Sequence, residues 1–141
     1  MAQFDLQRFV EAQDPIYDQV RSELAAGAKK SHWMWFVFPQ VQGLGRSSMA
    51  LKYEIGFMHE ARAYWQHPIL GARLKECIEL VLAVKGKAAI QIFGTPDDLK
   101  FRSSLTLFAA AAADEPVFQR ALTKYFDGRE DPRTIELLAR P

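Results

Sequence analysis

Leu70-Gly71-Ala72-Arg73-Leu74-Lys75-Glu76-Cys77-Ile78-Glu79-Leu80-Val81 decides the fold class. Leu70, Leu74, Cys77, Ile78 and Val81 recur at i, i+4, i+7, i+8 and i+11, while Arg73, Lys75, Glu76 and Glu79 fall off that stripe. A repeat of about 3.6 residues marks a helix that turns one face to a core. The same period returns on either side, in Ile16, Val20 and Leu24, in Phe101, Leu105, Phe108 and Ala112, and in Phe118, Leu122 and Phe126. Asp14-Pro15, Thr95-Pro96 and Asp131-Pro132 read as helix starts. A side-chain oxygen caps free N–H groups there, and proline tolerates the first turn. Gly27, Gly86, Gly94 and Gly128 follow candidate helices, where a left-handed residue is often needed. No Asn-Gly or Asp-Gly joins two alternating runs; Asp127-Gly128 ends a helix instead. The pattern predicts an all-α, compact single-domain bundle over residues 1–141. It has about seven short helices, one long irregular aromatic loop at Ser31–Ser48, and at most a minor strand near Trp35–Val41.

Composition narrows the function classes. A chain of 141 residues is one domain and buries enough surface to fold without disulfides or metals. Its apolar fraction of 49% and charged fraction of 25% are those of an ordinary globular protein. The net charge of +1 argues against DNA or RNA as a partner. One Cys and three His offer no zinc spacing, so neither a metal nor a cofactor is expected. No basic region with an apolar run opens the chain, and no apolar run of about 18 residues occurs. The expectation is a cytoplasmic protein with no membrane contact. Cys77 lies on the Leu70–Val81 stripe and reads as a small, buried, inert core residue.

Chemistry concentrates in two segments. In Ser31-His32-Trp33-Met34-Trp35-Phe36-Val37-Phe38-Pro39-Gln40, four aromatic rings surround one His; Gly43-Leu44-Gly45-Arg46-Ser47-Ser48 then exposes backbone beside a cation. Rings of this kind serve either as core anchors or as flat ligand walls. Buried indoles also need a polar partner, for which Gln40 is a neighbour in sequence. His32 is either a proton carrier or an orienting residue. Ser47 either caps the helix bearing Met49, Ala50 and Tyr53 or joins Arg46 in an anion site. The loop is neither a Walker A motif nor a dinucleotide fingerprint.

In Thr95-Pro96-Asp97-Asp98-Leu99-Lys100-Phe101-Arg102-Ser103-Ser104, residues Asp97, Lys100, Ser103 and Ser104 share a 120° helical arc beside an apolar stripe. That arc is either a solvated face, with Thr95 and Asp98 as a capping-box start, or a pocket wall.

These residues resemble a bacterial family known as domain of unknown function 1810. The match runs from Ser31–Gln40, Gly43-Leu44-Gly45 and Ser47 through Ala63-Tyr64, His67-Pro68, Leu70-Gly71 and Arg73-Leu74. It continues through Ile92-Phe93-Gly94, Asp97–Lys100 and Ser103–Phe108, covering nearly the whole chain. The resemblance implies a small, mainly helical domain with no established activity. Members are sometimes labelled calpastatin, yet calpain inhibitors of that type are long, disordered and poor in aromatics, unlike this chain. A looser likeness to helical proteins that process NAD and ADP-ribose derivatives rests on size, fold class and the Trp-rich loop.

Two functions follow as expectations. The first is a small-molecule pocket, nucleotide- or ADP-ribose-like in its ligand, between the Ser31–Ser48 loop and the Asp97–Ser104 helix face. Trp33, Trp35 and Tyr53 would stack a ring. Gln40, Arg46, Ser47, Lys100, Ser103 and Ser104 would hold polar and anionic groups. His32 or Asp98 would move protons if the protein hydrolyses its ligand. The second is a non-catalytic protein–protein module that grips its partner with an exposed aromatic loop.

Overall fold

The computed structural model describes residues 4–140. The helices are α1 (Gln7–Gln13), α2 (Tyr17–Ala25), α3 (Met34–Val37), α4 (Ser48–Tyr53), α5 (Phe57–Gln66), α6 (Leu70–Ala83), α7 (Ala89–Phe93), α8 (Asp97–Ala111), α9 (Pro116–Phe126) and α10 (Pro132–Leu138). A 3-10 turn at Asp14–Ile16 joins α1 to α2. The expected all-α class holds. The count exceeds about seven because α3, α4 and α7 are pieces of only 4, 6 and 5 residues.

The stripe that decided the class is buried as its spacing requires: α6 buries Leu70, Leu74, Cys77, Ile78 and Val81. Burial also pushes the Cys77 thiol up to about 12, which keeps it protonated and unreactive. Gly71 lets the start of α6 lie against the end of α5. A Cβ there would stand 2.1 Å from the Trp65 carbonyl oxygen.

α8 is the central element, packed against α5, α7, α9 and α10. It buries residues almost all round, from Phe101 through Ser103, Ser104 and Thr106 to Phe108. A helix of that kind lies inside a structure, and its polar residues need internal partners. Ser103 Oγ shares its one proton between the Leu99 carbonyl at 3.1 Å and Asp131 Oδ2 at 3.0 Å. Thr106 Oγ1 donates to the Arg102 carbonyl and accepts from the Asp131 N–H at 2.9 Å. Asp131 in turn caps α10, as its Asp-Pro start predicts, by accepting from the Thr134 N–H at 3.1 Å. The hydroxyls of α8 therefore dock α10, which corrects the reading of this arc as a solvated face.

One local expectation fails. Pro96 stands at the N-cap of α8 with no side-chain cap, after a cis Thr95–Pro96 bond, so the Thr95–Asp98 capping box does not form. Near Trp35–Val41, where at most a minor strand is expected, there is one parallel bridge between Val41 and Ile55, and α3 takes up Met34–Val37. Among the described residues, no helix is long and apolar enough to cross a membrane.

Candidate functional site

The first half of the aromatic loop is built around a buried carboxylate. Glu23 sits on the inner face of α2 beside Val20 and Leu24. Its Oε1 accepts from the N–H groups of Lys30 and Ser31 at 2.8 and 3.0 Å and from the Trp33 indole at 3.0 Å. Its Oε2 accepts from the Ser31 hydroxyl at 2.7 Å and the Gln19 amide at 3.0 Å. Burial pushes the carboxyl pKa up, but these donors together outweigh burial and hold it at about 2. The indole partner of Trp33 is thus Glu23, not Gln40.

The rings of this half belong to the core. Trp33 is 1% exposed, Phe36 8% and Phe38 0%. Phe38 meets Phe101 of α8 edge-on at 4.9 Å, and Phe101 stacks on Phe93 at 4.6 Å. Trp33 is therefore not available to stack a ligand. The aromatic loop is also not an exposed grip for a partner, since Trp35 alone of its rings is half-buried rather than buried. His32 is exposed and has no hydrogen-bond partner among the described residues.

The second half of the loop is polar and open. With α8 and α10 it borders a surface hollow of about 370 Å³. The loop contributes Gln40, Gly45, Arg46 and Ser47; α8 contributes Leu99, Lys100 and Ser103; the start of α10 contributes Asp131 and Arg133. Ser47 also caps α4, accepting from the Ala50 N–H at 3.1 Å. Three cations, Arg46, Lys100 and Arg133, thus face one space. Among the described residues Arg46 has no charged or hydrogen-bonding partner, while Arg133 reaches Glu136 at 2.8 Å. Lys100 Nζ lies 5.3 Å over the Trp35 ring and 3.6 Å from Asp97 Oδ1. Asp97 Oδ2 also takes the buried Lys29 ammonium at 2.8 Å, and Lys29 Nζ donates to the Ser31 carbonyl at 2.6 Å. Through Lys29, Asp97 thereby ties the start of the loop to α8.

A narrower recess adjoins the hollow, with room for about 10 Å³. Gln40, Gly45 and Ala50 line both spaces; Trp35, Tyr53 and Glu54 line only the recess. Gly45 lies so close to α4 that a Cβ would come within 2.5 Å of the Ala50 Cβ. Trp35 and Tyr53 border one space, as expected, but it is too small for a stacked ring.

Of the helix-face residues, Lys100 and Ser103 reach the hollow, and Asp98 and Ser104 do not. Pro96, Leu99, Lys100 and Ser103 form the lining at spacings i, i+3, i+4 and i+7. At about 100° per residue, Asp98 points some 150° away and Ser104 some 90° away from that row. One oxygen of Asp98 is buried without a hydrogen-bond partner among the described residues. The expected proton carriers, His32 and Asp98, are therefore not brought together at the hollow.

Sequence reasoning missed Asp131 and Arg133, which the chain delivers from nearly thirty residues downstream of Ser103. It also missed Glu23, although its i+3 spacing from Val20 and adjacency to Leu24 placed it on an inward face. His67 Nδ1 accepts from the N–H groups of Ile69 and Leu70 at the start of α6. Among the described residues no group of three or more His, Cys, Asp or Glu could hold a metal ion.

No curated protein matches the chain. The crystal structure of a conserved hypothetical protein from Mycobacterium tuberculosis is similar, with 54% sequence identity and a TM-score of 0.96. The match covers 98% of this chain and 99% of that one. A family model matches residues 3–138. The chain belongs to the family described as Protein of unknown function (DUF1810).

Proposed function

We propose that the protein binds a small phosphate-bearing metabolite, nucleotides and ADP-ribose-like compounds included, in the hollow between the Gln40–Ser47 segment and α8. What carries the reading is the convergence of Arg46, Lys100 and Arg133 on one concave space. Like charges gathered without an interior acid to neutralise all of them favour an anionic occupant. Asp131 lines the hollow as a single carboxylate, its Oδ2 taken by the hydroxyls of Ser103 and Thr134 and by the Thr134 N–H, so the three cations outnumber it. Guanidinium groups suit phosphate oxygens because their N–H donors come in planar pairs. Hydrolysis is not part of the proposal, because neither His32 nor Asp98 lines the space.

The test is a thermal-shift screen of the full chain against nucleotides, ADP-ribose and sugar phosphates. A ligand at 100 times its dissociation constant adds about 2.7 kcal/mol to stability. The expected result is a shift with at least one phosphate ester that is lost in Lys100→Ala and Arg46→Ala. A shift that survives both substitutions, or none with any phosphate, overturns the reading.

A further inference from the structure

The lining of the hollow changes character along α8. Pro96, Leu99, Lys100 and Ser103 form one row, and at about 1.5 Å per residue it runs for roughly 10 Å. Its ends are placed by what they touch. The Ser103 hydroxyl meets Asp131 Oδ2 at 3.0 Å, and Arg102, one residue before, donates to the Arg129 and Glu130 carbonyls at 2.8 and 2.7 Å. The segment that brings in Arg133 therefore lies against the Ser103 end. In the middle, Lys100 stands between the Trp35 ring and Asp97. At the other end, Pro96 and Leu99 carry no polar side-chain atom. On the side built by α8 and α10, charge thus runs from the middle of the row to the Ser103 end, and apolar carbon takes the rest.

Leu99 is the informative member. It is 53% exposed, which by itself needs no explanation on a protein surface. Its place in the row gives the exposure meaning. Side chains four residues apart on a helix share a face, and the direction of Ser103 is set by its bond to Asp131. Leu99 therefore stands on the face that borders the hollow, next to Lys100. That face offers a sugar little: the one proton of Ser103 is already shared between the Leu99 carbonyl and Asp131. Leu44 adds a further apolar side chain to the lining from the loop. The space of about 370 Å³ is many times one water's share of about 30 Å³, so a carbon group can enter with an anion.

We propose that the ligand is a phosphate monoester whose carbon group is apolar where it leaves the phosphate, an aryl or short alkyl ester. The phosphate lies among Arg46, Lys100 and Arg133, and the carbon group lies on Leu99 and Pro96. This rests on the anion-binding reading of the hollow. Leu99 and Lys100 are consecutive, so apolar surface and charge adjoin with no span between them for a ribose. Leu99 is then the residue that sets specificity.

Isothermal titration calorimetry of the full chain tests it with phenyl phosphate and butyl phosphate against glycerol phosphate and adenosine monophosphate, all of them monoesters. At least one apolar ester should bind about tenfold tighter than glycerol phosphate, and tighter than the nucleotide. Burying about two methylene groups gives a factor of that order. Leu99→Gln should bring the ratio to glycerol phosphate down to about one, and Leu99→Met should keep it. Ile90→Gln, at an isoleucine 51% exposed but outside the hollow, should leave it intact. These variants should fold, since each side chain is about half exposed. Equal binding of the esters, a preference for glycerol phosphate or the nucleotide, or a ratio that survives Leu99→Gln overturns the apolar-ester reading. The anion site then stands if Lys100→Ala still weakens every ester. Failure of all four monoesters to bind also overturns it, and failure of every phosphate in the thermal-shift screen overturns both.

Discussion

The two halves of the aromatic loop are built on opposite plans. From Ser31 to Phe38 the chain is drawn inward: a buried carboxylate gathers its N–H groups, and its rings join the core beneath α8. From Gln40 to Ser47 it is open, with few side-chain bonds and a cation that has no partner among the described residues. The half with most of the large rings is the structural one, and the half with glycines, Arg46 and Ser47 borders the candidate site. Aromatic density marks where this loop is anchored; unsatisfied polar groups mark where it could act.

The strongest way to break this contrast is at Glu23. Glu23→Ala leaves the buried Trp33 indole and the part-buried N–H groups of Lys30 and Ser31 without their acceptor, and should cost about 3 kcal/mol in urea unfolding. A loss below about 1 kcal/mol would mean that the inward half does not depend on its carboxylate. Trp33→Phe keeps an aromatic ring but loses the pyrrole half of the indole with its N–H, so a small cavity and one missing donor should together cost about 1–3 kcal/mol in the same measurement.

Acid gives an independent check. The Glu23 carboxyl is held at about 2 when folded against an ordinary value of 4.5. Its folded pKa is lowered, so its contribution is complete above about 4.5 and fades as pH falls toward about 2. The urea midpoint of the wild type should therefore fall more steeply across that window than that of Glu23→Gln. Parallel slopes would contradict the cage.

The outward half should behave in the reverse way. Lys100→Ala should change stability by little, within about 0.5 kcal/mol, yet abolish the thermal shift given by a phosphate ligand. At the bottom of the scale, His32→Ala should alter neither stability nor ligand binding, because its ring is exposed and off the hollow. A loss of binding in His32→Ala would move the site toward the inward half and erase the contrast.

Much of the fold was legible because it depends on local periodicity. The Leu70–Val81 stripe, the inert Cys77, and the caps at Ser47 and Asp131 follow from residues within a turn or two of one another. The site was legible only in part. Gln40, Arg46, Ser47, Lys100 and Ser103 do meet at one hollow. Asp131 and Arg133 were invisible because α10 arrives there through tertiary packing on α8. Trp33 misled because an indole reads alike in sequence whether it faces a ligand or a buried acid. Ser104 misled through angle alone: the row that faces the hollow runs through Leu99, so an arc drawn around Asp97 and Ser104 leans to the wrong side, and Asp98 lies outside both.

Lys100 and Arg46 face the same hollow but meet an arriving anion on different terms. Lys100 already rests over Trp35 and beside Asp97, so much of its freedom is surrendered when the chain folds. Arg46 keeps its freedom until capture, where ordering a long side chain costs on the order of 0.5–1.5 kcal/mol. The lysine is a fixed post, and the arginine is an arm that closes late. In calorimetry, the unfavourable entropy of capture should therefore shrink on Arg46→Ala more than on Lys100→Ala.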